Sequence, residues 1–126
     1  MGQEYLIDTN SVIDYLDNKL PDGANKLMGT ISSKMSVITR IELLSWPGAN
    51  ENQTIVLEEF INGSLVYALD EPVIIKAIEI RKTYKIKLPD AIIAATALIY
   101  EFTLISRNTK DFKNIPGLEV VNPYEL

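Results

Sequence analysis

The chain has 126 residues, 47% of them hydrophobic, and its 12 Lys or Arg against 17 Asp or Glu leave a net charge of −5. That is one domain's worth of chain, long enough to close a core without cross-links. It contains no Cys and no His, which excludes disulfide frameworks, thiolate zinc and iron–sulfur sites, imidazole metal ligands and every His-based general base or catalytic triad.

Tyr5-Leu6-Ile7 is a short apolar run ending at Asp8. Helical spacing of Val12, Ile13 and Leu16 follows, until Leu20-Pro21-Asp22-Gly23 breaks it. A short helix is expected over 24–31 and a strand over 35–38. Thr39-Arg40-Ile41-Glu42 reads as a capping box opening the next helix, which Pro47-Gly48 stops. Residues 51–62 predict an amphipathic helix with Ile55, Val56, Phe60 and Ile61 inside, Glu51, Glu58 and Glu59 outside, and Gly63 at its C-cap. Leu65–Leu69 reads as a strand. Glu71-Pro72 opens a helix to about residue 84 with a Lys- and Arg-rich outer face, and Leu88-Pro89-Asp90 opens a strongly apolar one to about Tyr100. Residues 102–106 read as a strand buried on both sides, 108–113 as a turn or short helix, and 118–121 as a last strand.

No internal repeat or low-complexity linker interrupts the chain, so residues 1–126 are expected to form a single domain. Strands alternating with helices predict the α/β class, a mostly parallel central sheet flanked by helices on both faces. The first residues, Met1 to Tyr5, have neither a basic n-region nor a long apolar run, and the longest apolar stretch, Ala91 to Tyr100, is far too short to span a bilayer. The expected location is the cytoplasm, with no membrane partner.

Acids and amides recur at helix N-termini: Asp8 after the first strand, then Glu42 after the second, then Asp90 at the start of the apolar helix, then Asn108 and Asp111 after the strand ending at Ser106. Each has an ordinary role as a cap or first-turn residue. In a parallel α/β sheet, however, helices that follow strands start at the strands' carboxyl ends, along the edge where such folds bind ligands. If Asp8, Glu42 and Asp90 meet there, their charges repel and a cation relieves them. Oxygen-only ligands on a chain without His or Cys point to Mg²⁺ or Mn²⁺.

Four segments, Leu6-Ile7-Asp8-Thr9-Asn10, Thr39-Arg40-Ile41-Glu42-Leu43, Leu88-Pro89-Asp90 with Ala91 to Ala97, and Leu104-Ile105-Ser106-Arg107-Asn108-Thr109-Lys110-Asp111-Phe112, together resemble the PIN-domain nucleases. The likeness is nearest to the VapC-type toxins of bacterial toxin–antitoxin pairs. It extends to the closing Gly117-Leu118-Glu119-Val120-Val121-Asn122-Pro123. The resemblance implies a single PIN domain that cuts RNA phosphodiesters with Mg²⁺ (or Mn²⁺), leaving a 5′-phosphate and a 3′-hydroxyl. It implies Asp8, Glu42 and Asp90 as the acidic metal-binding set, Thr9 as a hydrogen-bonding member of it, and Asn108 at the fourth position, with Asp111 one turn on able to serve instead. It also implies a cognate antitoxin and a homodimer. Ser106 and Asn10 are candidates for orienting the ligands or a water.

The net charge hides an asymmetry. From Lys76 to Lys113 there are eight Lys or Arg against four acids, net +4, while the remainder carries net −9. Arg40, Lys85, Lys87 and Arg107 are candidate phosphate-guiding residues around the acidic centre. Trp46, Leu57 and Phe60 are candidates to line a groove for an amphipathic antitoxin helix. Three rival readings stay open. A receiver-like signalling module would use Asp70 as phosphoacceptor. A haloacid-dehalogenase-like phosphatase wants an acid where Asn10 stands. A catalytically inactive PIN domain would act as a binding protein.

Overall fold

The computed structural model describes residues 3–126. The chain runs β1 (Tyr5–Ile7), α1 (Thr9–Leu16), α2 (Asp22–Thr30), β2 (Lys34–Ser36), α3 (Val37–Leu44), α4 (Glu51–Asn62), β3 (Leu65–Tyr67), α5 (Glu71–Thr83), α6 (Leu88–Ile99), β4 (Thr103–Ile105), α7 (Thr109–Phe112) and β5 (Val120–Val121), closing with a 3₁₀ turn at Pro123–Glu125. Each strand pairing among these residues is parallel. β1 pairs with β4 in the register Leu6 to Leu104, β4 with β5, and β2 with β3. The sets β1–β4–β5 and β2–β3 are hydrogen-bonded separately. β2 lies alongside β1, so the spatial order is β3-β2-β1-β4-β5.

Strand periodicity divides the core in two. Leu6 and Leu104 point to one face, where they meet Val73, Ala77 and Ile80 of α5 and the body of α6. Their neighbours Ile7 and Ile105 point to the other, where they meet Val12, Ala24, Met28, Leu43, Leu57 and Ile61. Successive strand residues face opposite ways, so one three-residue strand feeds both layers and must be apolar throughout. Helix α6 is buried at every position from Ala91 to Ala97, which is why its sequence is apolar all round rather than on one stripe. No helix among the described residues is long and apolar enough to cross a membrane.

The spatial order places the reversal of chain direction between β1 and β4. The chain leaves β1 toward β2 and β3, then crosses back to β4 on the other side. Crevices at such switch points, outside the strands' carboxyl ends, are where open α/β sheets bind ligands. Asp8 and Ser106 are the first residues past the tips of β1 and β4, and the Asp8 N–H still donates to the Ile105 carbonyl at 3.0 Å.

Several expectations are corrected. The strand predicted over 35–38 ends at Ser36, and α3 begins at Val37. The Thr39–Glu42 capping box does not form: Ser36 is the N-cap, its hydroxyl accepting from the Ile38 N–H at 3.1 Å. Thr39 thereby falls in the first turn of α3 and Glu42 in the second. In α4 the buried stripe is Leu57 and Ile61, while Ile55 and Val56 are 47% and 45% exposed. The inward face is thus rotated from the one predicted. Gly63 does occupy the C-cap of α4, with an ordinary negative φ of −86°. Its capping box is Asn50 with Gln53, each side chain reaching the other's backbone N–H.

Candidate functional site

Asp8 is the floor of the site. It is buried, caps α1, and has both carboxylate oxygens engaged. Oδ1 accepts from the Thr9 N–H at 2.8 Å. Oδ2 accepts from the fully buried Ser106 hydroxyl at 2.7 Å and from the Asn10 amide at 3.4 Å. Burial pushes the Asp8 carboxyl above its ordinary value and the charge of Glu42 adds to this, while the Ser106 hydroxyl, the Thr9 N–H and the Arg107 charge pull it back. The cap and the candidate ligand are therefore the same side chain doing two jobs.

Thr9 links α1 to α3. Its hydroxyl donates to Glu42 Oε1 at 2.6 Å, with Thr39 Oγ1 3.1 Å away. Glu42 lies on the exposed rim, facing α1, because α3 is capped by Ser36 rather than by Thr39. Asp90 stands in the first turn of α6, half-buried. Its carboxyl is pushed up to about 6, first by burial and then by the charges of Asp8, Asp111 and Glu42, with Lys87 opposing. Four acids from four separate stretches of chain thus act on one another at the carboxyl end of the sheet.

Asn108 and Asp111 divide the fourth position between them. The Asn108 N–H donates to Ser106 Oγ at 3.0 Å, and its side-chain amide donates to Asp111 Oδ2, also at 3.0 Å. Asn108 holds the N-cap place of α7 without a side-chain cap bond. It is the Asp111 charge, not the Asn108 amide, that raises Asp90. Among the described residues no three acids form a preformed metal-binding group. Glu42 accepts from the Thr9 hydroxyl and Asp111 from the Asn108 amide. The donor chemistry, oxygens only, fits a hard divalent cation.

The basic candidates separate. Lys87, the N-cap residue of α6, is close enough to Asp90 to lower its proton affinity. Arg40 and Lys85 are exposed and form no ion pair among the described residues. Arg107 is pinned by a residue that sequence reasoning missed: its Nη1 donates to Asp14 Oδ2 at 2.9 Å. Asp14 is buried within α1, and nothing in its local sequence distinguishes it from a solvent-facing helix acid. Asp70, the residue a receiver-type mechanism would phosphorylate, is committed elsewhere. It caps α5 through the Val73 N–H and accepts the Tyr100 hydroxyl.

The PIN domain family matches residues 5–118. The chain belongs to the PIN-domain family. A toxin–antitoxin complex from Klebsiella pneumoniae contains a chain similar to this PIN domain, with 34% identity and a TM-score of 0.78 over 98% of this chain and 100% of that one. The DNA-bound VapBC of Salmonella typhimurium is 25% identical with a TM-score of 0.82, over 95% and 98% of the two chains. A ribonuclease VapC from Rickettsia bellii is 56% identical over 32 residues, a match spanning 25% of this PIN domain and 24% of that protein.

On the flank of the PIN domain, Trp46, Ile13, Leu16, Val56 and Leu57 line an apolar groove of about 180 Å³ between α1 and α4. Trp46 and Leu57 are there as expected. Phe60 is not: it turns toward Tyr15, ring centroids 6.2 Å apart.

Proposed function

We propose that this PIN domain is a divalent-metal-dependent endoribonuclease and the toxin of a toxin–antitoxin pair. The observation that carries the reading is the convergence on Asp90. A carboxyl at the switch point of the sheet is raised to about 6 by its burial and by three other acids, a set whose full ionisation calls for a cation. Asp8, Glu42 and Asp90 would hold Mg²⁺ or Mn²⁺, with Asp111 completing the set and Asn108 orienting it. When bound, the metal lowers the pKa of a water and offsets charge developing on the phosphate. The chain's own part is positional. Ser106, Asn10 and the Thr9 N–H fix the Asp8 carboxylate, the Thr9 hydroxyl fixes Glu42, and Lys87 adds positive charge beside Asp90 for an incoming phosphate.

Similarity to chains from toxin–antitoxin complexes supports an antitoxin partner, and the Trp46 groove is the apolar cleft suited to an amphipathic helix. Exposed Leu69, Ile78 and Leu88, with half-buried Ile74, around a second apolar depression on α5 and α6 support a homodimer. The deciding experiment is cleavage of a defined RNA with Mg²⁺ or Mn²⁺. Cutting should stop in EDTA and in Asp8→Asn and Asp90→Asn. Cutting that persists in EDTA would overturn the metal mechanism.

A further inference from the structure

Asp14 has no place in the acid set, yet it is as buried as Asp8. It sits on α1, the helix that Asp8 caps. A buried carboxylate needs a partner, and this one takes Arg107 from a loop 93 residues away. The bond is asymmetric in exposure: the Asp14 side chain is 4% exposed and that of Arg107 is 53% exposed.

The loop that carries Arg107 is consequently stitched to α1 at two successive residues. Ser106 donates to Asp8 Oδ2 and Arg107 donates to Asp14 Oδ2. A guanidinium has five N–H donors in a rigid plane. One of them holds Asp14, and the exposed remainder stands at the edge of the acidic centre, close enough for its charge to act on Asp8. An Arg free of Asp14 could instead fold onto the nearby carboxylates.

We propose that Asp14 is a positioning residue that fixes Arg107 at the rim of the acidic centre, where its remaining N–H groups take a phosphate of the RNA strand. This rests on the ribonuclease reading for the identity of the ligand. It assigns to α1 a second role beyond supplying Asp8.

Charge alone predicts the opposite sign from positioning, and this makes the proposal testable. Removing the negative charge of Asp14 should tighten RNA binding if only Coulomb attraction matters. Positioning requires that it weaken.

The experiment measures binding of a single-stranded oligoribonucleotide by anisotropy in EDTA, across a salt series, alongside cleavage in Mn²⁺ and thermal melting. Arg107→Ala should weaken binding about tenfold and reduce the salt slope by about 0.7, the share of one phosphate on a single strand. Asp14→Ala should weaken binding about threefold with the slope retained, because the Arg107 charge is still present. Asp14→Asn keeps the shape of the side chain and a neutral hydrogen bond, so it should fall between wild type and Asp14→Ala even if the Ala variant melts early. Tighter binding in folded Asp14→Asn, or an Arg107→Ala protein with unchanged affinity and slope, overturns the proposal. If the wild type binds RNA through Arg107 but never cleaves it, the nuclease reading fails and the clamp stands. If the wild type cleaves and the Arg107 variants behave as wild type, the clamp fails and the nuclease reading stands. If it neither binds nor cleaves, both fall.

Discussion

Asp90 shows how one side chain reports on its neighbours. Its carboxyl is raised to about 6 by burial and by Asp8, Asp111 and Glu42, so its charged form is the costly one near neutrality. Asp90→Asn should therefore remove RNA cleavage while leaving the melting temperature at pH 7.5 equal or higher, because a repelled charge is replaced by a neutral amide of the same shape. The loss should exceed the roughly 10–100-fold typical of groups that only orient a ligand. Ser106→Ala should fall within that lesser range, since Ser106 acts through the Asp8 carboxylate. At the fourth position Asp111→Ala should cost more activity than Asn108→Ala, because it is the Asp111 charge that reaches Asp90. Single-turnover cleavage of one RNA by all four variants ranks them directly, and equal activity of Asp111→Ala and wild type would remove Asp111 from the set.

Helix α3 carries the clearest difference between pattern and structure. Thr39 and Glu42 have the spacing of a capping box, but the hydroxyl of Ser36 reaches the Ile38 N–H first and starts the helix earlier. Both residues are then free to face α1, where Glu42 accepts the Thr9 hydroxyl. Ser36→Ala should cost about 1 kcal/mol of stability, and Glu42→Gln should cost little. A chemical-denaturation series in which Glu42→Gln is the more damaging of the two would restore the capping role. The order and type of the elements were legible because strand, helix and breaker signals alternate strongly, from Tyr5-Leu6-Ile7 to Leu20-Pro21-Asp22-Gly23. Asp8 was legible for a related reason: a residue opening a helix after a parallel strand has its place set by topology, whereas Glu42 lies inside α3 and Asp90 opens a helix that follows another helix. Asp14 was not, because its partner Arg107 is distant in sequence and local pattern carries no signal for a buried ion pair. The rotation of α4, with Leu57 inside and Val56 outside, was equally hidden, since apolar residues at 55, 56, 57, 60 and 61 fit more than one face.

The whole molecule carries a net charge of −5, and two of its acids, Asp8 and Asp90, are held at the sheet's carboxyl edge against burial and the charge of neighbouring acids. Asp8 and Asp90 both have carboxyls raised above the ordinary 3.8, Asp90 to about 6. Between those values the folded chain binds more protons than the unfolded chain, so stability falls as pH rises through the window. The contribution is fully present below about pH 4 and is lost by about pH 6 to 7, the reverse of the usual behaviour of a salt-bridged Asp. A divalent cation would act on the other side of this balance, binding the deprotonated acids of the folded chain and stabilising it by mass action. Mn²⁺ should therefore raise the melting temperature clearly at pH 7.5 and progressively less as pH falls through 6, where protons compete for the same oxygens. In Asp90→Asn both the Mn²⁺ shift and the downward slope between pH 4 and 6 should shrink together. Calorimetry or fluorescence melting at three pH values, with Mn²⁺ and with EDTA, checks the coupling. A Mn²⁺ shift that is independent of pH, or unaltered in Asp90→Asn, would place cation binding away from these acids.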